Sequence, residues 1–217
     1  EKMHEQQVRP YSQYLLVKEG KPYWRLAALT EEAFEHILQP IMRKDSLFLE
    51  QKGYEVGVGK FSILKKDSFQ GLEERFWTGT DKVHHIDMEF LTSASFKKNG
   101  EYMIFPELPL VFNNLIRKWN VYSDSMVLGE ERLGNKLAES MCITDYRLHT
   151  HPFSVEGRRI RAFRGNIRLG LFKDDITRRM ASMLAAFADY AGIGIKTAMG
   201  MGAVESDISY YQKKERL

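Results

Sequence analysis

Thr177-Arg-Arg-Met-Ala-Ser-Met-Leu-Ala-Ala-Phe-Ala-Asp-Tyr-Ala191 runs directly into Gly192-Ile-Gly-Ile-Lys196-Thr-Ala-Met-Gly200-Met-Gly202. The first part predicts a helix. Met180, Met183, Leu184, Phe187 and Ala191 recur at helical spacing and form one apolar face. Asp174 and Asp175 precede it, where carboxylates favour a helix N-terminus. The glycine-rich stretch ends the helix, and Met201–Ser209 reads as a short final strand.

Working upstream, His85–Phe90 alternates apolar and polar residues as a half-buried strand does. Leu108–Trp119 predicts a helix, with Pro109 in its first turn and Val111, Phe112, Leu115, Ile116 and Trp119 on one face. Leu128–Met141 holds a further short helix. Tyr146–Val155 and Arg159–Phe172 read as strands joined by a turn at Gly157. The order strand, helix, strand, strand, helix, strand is the ferredoxin-like pattern. The first half reads as an incomplete copy. Strands Tyr11–Val17 and Tyr23–Ala28 flank the turn Glu19-Gly20-Lys21-Pro22. Thr30 caps a helix Glu31–Leu38 ended by Pro40, and Leu47–Leu49 and Glu55–Leu64 supply further strand. The expected fold class is therefore α+β, two tandem ferredoxin-like domains spanning 1–78 and 79–217. They meet near Ser68–Lys82, a stretch with turn residues and no sustained periodicity. A leading strand and helix of the first copy would precede Glu1, and the absent start methionine points the same way.

Composition narrows the function. The 217 residues, 43% hydrophobic and 28% charged, suit a globular chain and leave wholesale disorder out. The single Cys142 excludes an internal disulfide and a cysteine zinc cluster, and fits a reducing, cytoplasmic compartment. No apolar run reaches the roughly 18 residues of a membrane span, and Glu1-Lys-Met-His-Glu5 is too polar for a secretory signal. The formal charge of +3 decides little, but its distribution is informative. Between Tyr146 and Met180, nine Arg/Lys stand against three acids: Arg147, Arg158, Arg159, Arg161, Arg164, Arg168, Lys173, Arg178 and Arg179. Such an excess is the footprint a polyphosphate partner needs, or a solvated basic face balanced by Glu130-Glu131.

The glycine-rich stretch is not a dinucleotide fingerprint, because Thr197 stands where the third glycine of GxGxxG would fall. Nor is it a Walker loop, since no glycine directly precedes Lys196 and no helix follows Thr197. Two readings stay open. Glycine pairs flanking Lys196-Thr197 allow close backbone approach, with free N–H groups cradling phosphate beside the lysine. Alternatively, the stretch is a helix C-cap turning tightly into an interior strand.

Placed after a helix near the end of a second ferredoxin-like half, this loop resembles the signature of the CRISPR-associated repeat-RNA endoribonucleases, the Cas-six type of the RAMP superfamily. Phe90-Leu-Thr-Ser-Ala-Ser-Phe96 with Pro106–Trp119 resembles the opening of that family's second half. Arg161-Ala-Phe-Arg-Gly165 resembles its strand before the last helix. Met3-His4-Glu5 through Arg9-Pro-Tyr-Ser12 resembles the segment after its first helix. The resemblance implies binding of CRISPR repeat RNA and one metal-free cut per repeat by 2′-hydroxyl attack, leaving 2′,3′-cyclic phosphate and 5′-hydroxyl ends, with no metal and no cofactor. It implies His4 as general acid or base and Arg9 as accessory cation, with Tyr11 and Tyr14 as weaker substitutes for a tyrosine of the first helix. It implies RNA contacts from Arg158, Arg159, Arg161 and Arg164, where Arg159 and Arg161 share a hairpin face, and from Gly192, Gly194, Lys196, Thr197, Gly200 and Gly202. Precursor guide RNA is the implied partner, with effector-complex subunits, a fused domain or a second copy of the chain as further ones, and no membrane. The alternative within the superfamily is a subunit that holds guide RNA without cutting it. His84-His85 and His149-x-His151 lack the companions of a metal set, His36 reads as structural, and Trp24, Trp77 and Trp119 read as core.

Overall fold

The computed structural model describes residues 8–129, 132–155 and 157–211. The chain opens with a hairpin of β1 (Tyr11–Lys18) and β2 (Lys21–Ala28), turned by Glu19 and Gly20, both at positive φ as a tight hairpin turn requires. Helix α1 follows. Its first turn, Glu31–Ala33, is capped by Thr30, whose Oγ1 accepts from the Ala33 N–H at 3.1 Å. Pro40 does not end it as expected. A π-helical turn, Phe34–Leu38, intervenes, with the Gln39 N–H reaching back five residues to the Phe34 carbonyl. Pro40 then lies within the α segment Gln39–Met42, which follows the π turn without a break. β3 (Ser46–Leu49) and β4 (Tyr54–Gly57) form a hairpin of their own, so the strand expected over Glu55–Leu64 stops at Gly57.

Ser68–Lys82, expected to lack regular structure, holds helix α2 (Phe69–Thr78). Ser68 Oγ caps it by accepting from Gly71 N–H at 2.9 Å, and Leu72 and Phe76, one turn apart, are buried.

The second half is built from β5 (Val83–Ala94), the short hairpin β6 (Phe96–Lys98) and β7 (Glu101–Met103), α3 (Leu108–Tyr122), α4 (Leu133–Ala138), β8 (Met141–Thr150), β9 (Phe153–Val155), β10 (Arg158–Ile160), β11 (Phe163–Leu171), α5 (Asp175–Ala191), a 3₁₀ turn (Thr197–Met199) and β12 (Val204–Tyr210). Its four long strands pair antiparallel in the order β12-β5-β11-β8. Counted within the unit, that is 4-1-3-2 with a helix after the first and third strands, the ferredoxin-like topology. The fold is α+β, as expected. Alternation along β5 buries Ile86, Met88 and Phe90 against α3 and α5. Trp119 is fully buried, with the rings of Phe69 and Phe187 edge-on at 5.0 and 5.2 Å, so α2 closes the same core. The strand expected over Arg159–Phe172 is split into β10 and β11. Its partner is broken opposite, at Pro152, which has no N–H for the ladder, and His151 N–H bonds Ala162 O at 2.8 Å across the gap. Among the described residues no helix is long and apolar enough to cross a membrane.

Candidate nucleic-acid interface

A second, smaller core holds the candidate site together. Ile160, Ala162 and Met201 are buried, and Tyr102, Phe153, Val155 and Ile195 pack against them. Two hairpins, β6–β7 and β9–β10, are thereby pinned to the glycine-rich loop. Ile160, at the end of β10, is turned inward, while Arg158, Arg159, Arg161 and Arg164 are exposed. Arg161 lies just beyond the end of β10, and its Nη2 donates to Glu101 Oε2 of β7 at 3.1 Å. Arg164 stands opposite His149 in the β11–β8 register. The His149 and His151 rings lie 6.1 Å apart, and Ser93 Oγ is 2.7 Å from His151 Nδ1. Among the described residues no three His, Cys, Asp or Glu side chains gather in metal-binding geometry.

The loop itself is drawn tightly into the protein. Gly202 has φ +66°, and a Cβ there would lie 1.9 Å from Ile193 O; at Gly194, φ +87°, it would lie 2.3 Å from Ser95 O. Only glycine fits either position. Ile193 N–H donates to Gly202 O at 2.8 Å, Ile195 N–H to Ser95 O at 3.0 Å and Gly202 N–H to Ser93 O at 2.9 Å. Gly192 N–H closes the last turn of α5 on Ala188 O at 2.8 Å. The close approach is thus real, but these donors are committed internally rather than free to cradle phosphate. Lys196 is exposed in the left-handed region at φ +54°, and Gly200, four residues further on, has φ +98°. Thr197 is turned inward: it is buried, and its hydroxyl accepts from Lys118.

Lys118 and Asn114, one turn apart on α3, are the residues that sequence reasoning passed over. Lys118 Nζ donates to Ala191 O at 3.0 Å, Gly192 O at 2.9 Å and Thr197 Oγ1 at 3.3 Å. Asn114 Oδ1 accepts from Gly194 N–H at 2.9 Å. Burial, aided by the charge of Arg117, lowers the Lys118 pKa to about 7. The signal was available: Lys118 is seven residues from Val111 and three from Leu115, which puts a cation in the middle of the apolar stripe.

The N-terminal segment reaches the same region. His4 lies outside the described residues. Arg9 is half-buried between Val8, whose carbonyl accepts from the Tyr122 hydroxyl, and Pro10, whose carbonyl accepts from Leu29 N–H at 2.8 Å. Burial raises the Tyr122 pKa to about 12, with the charge of Arg9 acting against the rise. Three and four residues beyond Arg9, in β1, Ser12 Oγ donates to Tyr190 O and Gln13 Nε2 to Ala198 O at 2.6 Å, so β1 is seated on the glycine-rich loop and the end of α5. Tyr14 is a packing residue: it is buried, Arg25 lies over its ring at 5.3 Å, and burial raises its pKa to about 12. Trp24, expected in the core, is partly exposed and holds Gln13 through its Nε1–H at 2.8 Å.

Fold and site together define a ferredoxin-like protein in which a glycine-rich loop, a basic hairpin and an N-terminal segment converge. The family model of the CRISPR-associated endoribonuclease Cas6 matches residues 88–204, and the chain belongs to that family. It is 28% identical to the Cas6 endoribonuclease of Streptococcus thermophilus over 94% of this chain and 82% of that one. It is 31% identical to that of Mycobacterium tuberculosis over 93% of this chain, spanning 64% of the length of that relative. Among solved structures, a Cas6 product complex shares the fold with TM-score 0.78 at 20% identity, over 94% of this chain and 85% of that one.

Proposed function

We propose that this protein binds CRISPR repeat RNA across the hairpin–loop platform and cuts precursor transcripts into guide RNAs without a metal. The observation that carries the reading is the shared small core, which fixes the arginine-bearing β9–β10 hairpin and the glycine-rich loop as one surface in a chain of this family. Arg158, Arg159, Arg161 and Arg164 with Lys196 would supply phosphate contacts, suited to an A-form stem that is read by shape and backbone. Gly192, Gly194, Thr197, Gly200 and Gly202 would act through the shape of the loop.

The reaction asks little beyond alignment and proton transfer. The ribose 2′-oxygen attacks the adjacent phosphorus, the bond to the 5′-oxygen breaks, and the phosphate is left cyclic across O2′ and O3′. The proton lost from the 2′-hydroxyl is balanced by the one gained at the leaving 5′-oxygen. His4 is proposed for one of these transfers, since a histidine ordinarily titrates near 6.5 and can serve either way. Arg9 is proposed to stabilise the charge that develops on the phosphorane. The cytoplasm, where Cys142 stays reduced, is the proposed compartment.

The test is a labelled repeat RNA incubated with the full chain in EDTA, beside the same RNA carrying one 2′-deoxy at the cut site. One discrete product, abolished by the 2′-deoxy, is expected, and His4→Ala should slow it by about 10²–10⁴-fold. Tight binding with no cut would replace this reading with a subunit that holds guide RNA. Cleavage that survives the 2′-deoxy would exclude the 2′-hydroxyl as nucleophile.

A further inference from the structure

We propose that Lys118, assisted by Asn114 one turn before it, is a positioning residue that holds the glycine-rich loop in shape and neutralises the helix end beneath it. The inference rests on the loop being a phosphate-binding element, and it answers an electrostatic difficulty in that role. Loops that cradle phosphate usually open a helix, so that the positive end of the helix dipole faces the anion. Here the loop follows α5, and the end beneath it is the C-terminus, with unpaired carbonyls and about half a negative charge. Left alone, that end repels phosphate.

Lys118 removes the difficulty at its source. Its ammonium has three donors, and the structure supplies three acceptors: Ala191 O and Gly192 O, from the last turn and cap of α5, and Thr197 Oγ1 from the loop. All three are neutral groups, and among the described residues no carboxylate pairs with the ammonium. Lys118 is only 4% exposed, so water screens it poorly, and below its lowered pKa of about 7 the field of its ammonium extends through the loop to the surface beside Lys196. Asn114 fixes Gly194, the position that presses on Ser95. The two side chains hold the loop at its start, its middle and its inward-turned threonine. Lys118 is buried and Asn114 only partly exposed, and both are spent on the loop rather than offered to RNA.

The test compares wild type, Lys118→Met and Thr197→Val. At about pH 6, where Lys118 is protonated, affinity for a repeat RNA is measured across a salt series, and amide exchange of residues 192–202 is followed without RNA. Lys118→Met should weaken binding by about tenfold at every salt concentration while leaving the log–log salt slope unchanged, because no phosphate contact is lost. Its amides at 193–195 and 202 should exchange faster. Thr197→Val keeps the charge and loses one acceptor; binding about threefold weaker and faster loop exchange are expected. A folded Lys118→Met protein with wild-type affinity and loop protection overturns the proposal. A slope shallower by about 0.7–0.9 also overturns it, since that marks a direct phosphate contact. If Lys118→Met does not fold, Thr197→Val decides alone, and unchanged exchange with unchanged affinity rejects the clamp. Failure of the wild type to bind repeat RNA rejects the function proposed above, while the exchange data still decide whether Lys118 holds the loop.

Discussion

The glycine-rich loop and the β9–β10 hairpin rest on the same small core, yet they meet the surface in opposite ways. In the loop, backbone donors at Ile193, Ile195 and Gly202 are bonded inward, Thr197 is buried, and the charge lies underneath on Lys118. In the hairpin, Ile160 alone of β10 is buried and Arg158 and Arg159 point out. The loop is thus defined by shape, and the hairpin by charge. A ligand carrying phosphate at regular intervals would need both: arginines that attract it from any direction, and a rigid backbone that gives it one register.

If that division holds, damage to the loop should differ in kind from damage to the hairpin. The largest effect is expected from Gly202→Val. Its φ of +66° is costly for a branched residue, at about 1–3 kcal/mol, and the Cβ position 1.9 Å from Ile193 O forces the strand entry apart. Thermal melts should drop by several degrees, and soluble protein should lose RNA binding and cleavage together. A wild-type melt with wild-type binding would mean that the loop's shape is dispensable. The triple variant Arg158→Ala/Arg159→Ala/Arg164→Ala should do the reverse. Folding should be unchanged, because all three side chains are exposed, while RNA affinity falls by about 10²-fold at moderate salt and the salt slope becomes shallower by about 2–3. A fall in affinity with an unchanged slope would remove these arginines from the phosphate contacts.

The same division governs what could be read in advance. The second ferredoxin-like unit was legible because its helices and strands carry long, clean periodicities, as in Val111, Phe112, Leu115, Ile116 and Trp119. The glycines were legible because few contexts other than close packing or positive φ require so many. Helix α2 was hidden, since Gly71 weakens it and only Leu72 and Phe76 mark its buried face; tertiary packing on α5 makes it a helix. The continuous strand Arg159–Phe172 was an over-extension, because the break comes from Pro152 on the partner strand, which local pattern at residue 161 does not carry. Lys118 was hidden for a different reason. In sequence it is one more basic residue beside Arg117, and only three-dimensional closure shows that its partners lie more than 70 residues away.

Lys118 also provides a pH test of the loop's buried charge. Its pKa is lowered to about 7 in the folded chain, by burial first and the charge of Arg117 second, from an ordinary value of 10.5. Between those values the unfolded chain binds the additional proton, so this group makes stability rise with pH across that window and leaves it flat below. Urea midpoints of wild type and Lys118→Met, compared from pH 6.5 to 9, should therefore diverge in favour of wild type. The limit is about tenfold in the folding constant per pH unit. A flat difference would mean that the three acceptors keep the ammonium charged throughout, which strengthens the charge argument for the loop.

The smallest effect is the most pointed, because it concerns a hairpin arginine that the structure already pairs. Arg161 and Glu101 are both largely exposed, at 71% and 75%, so the ion pair between them contributes at most about 1 kcal/mol to folding. Its consequence for binding is of the other sign: Glu101 places a carboxylate on a surface built to hold phosphate and occupies a guanidinium that would otherwise be available. Glu101→Gln keeps the side chain's size and a hydrogen-bond acceptor while removing the charge. Repeat-RNA affinity should rise about two- to threefold, with a slightly steeper salt dependence and an unchanged melting temperature. Weaker binding would instead mean that Glu101 orients Arg161 toward its phosphate. The hairpin would then owe part of its function to geometry, as the loop does, and the contrast between the two regions would be one of degree.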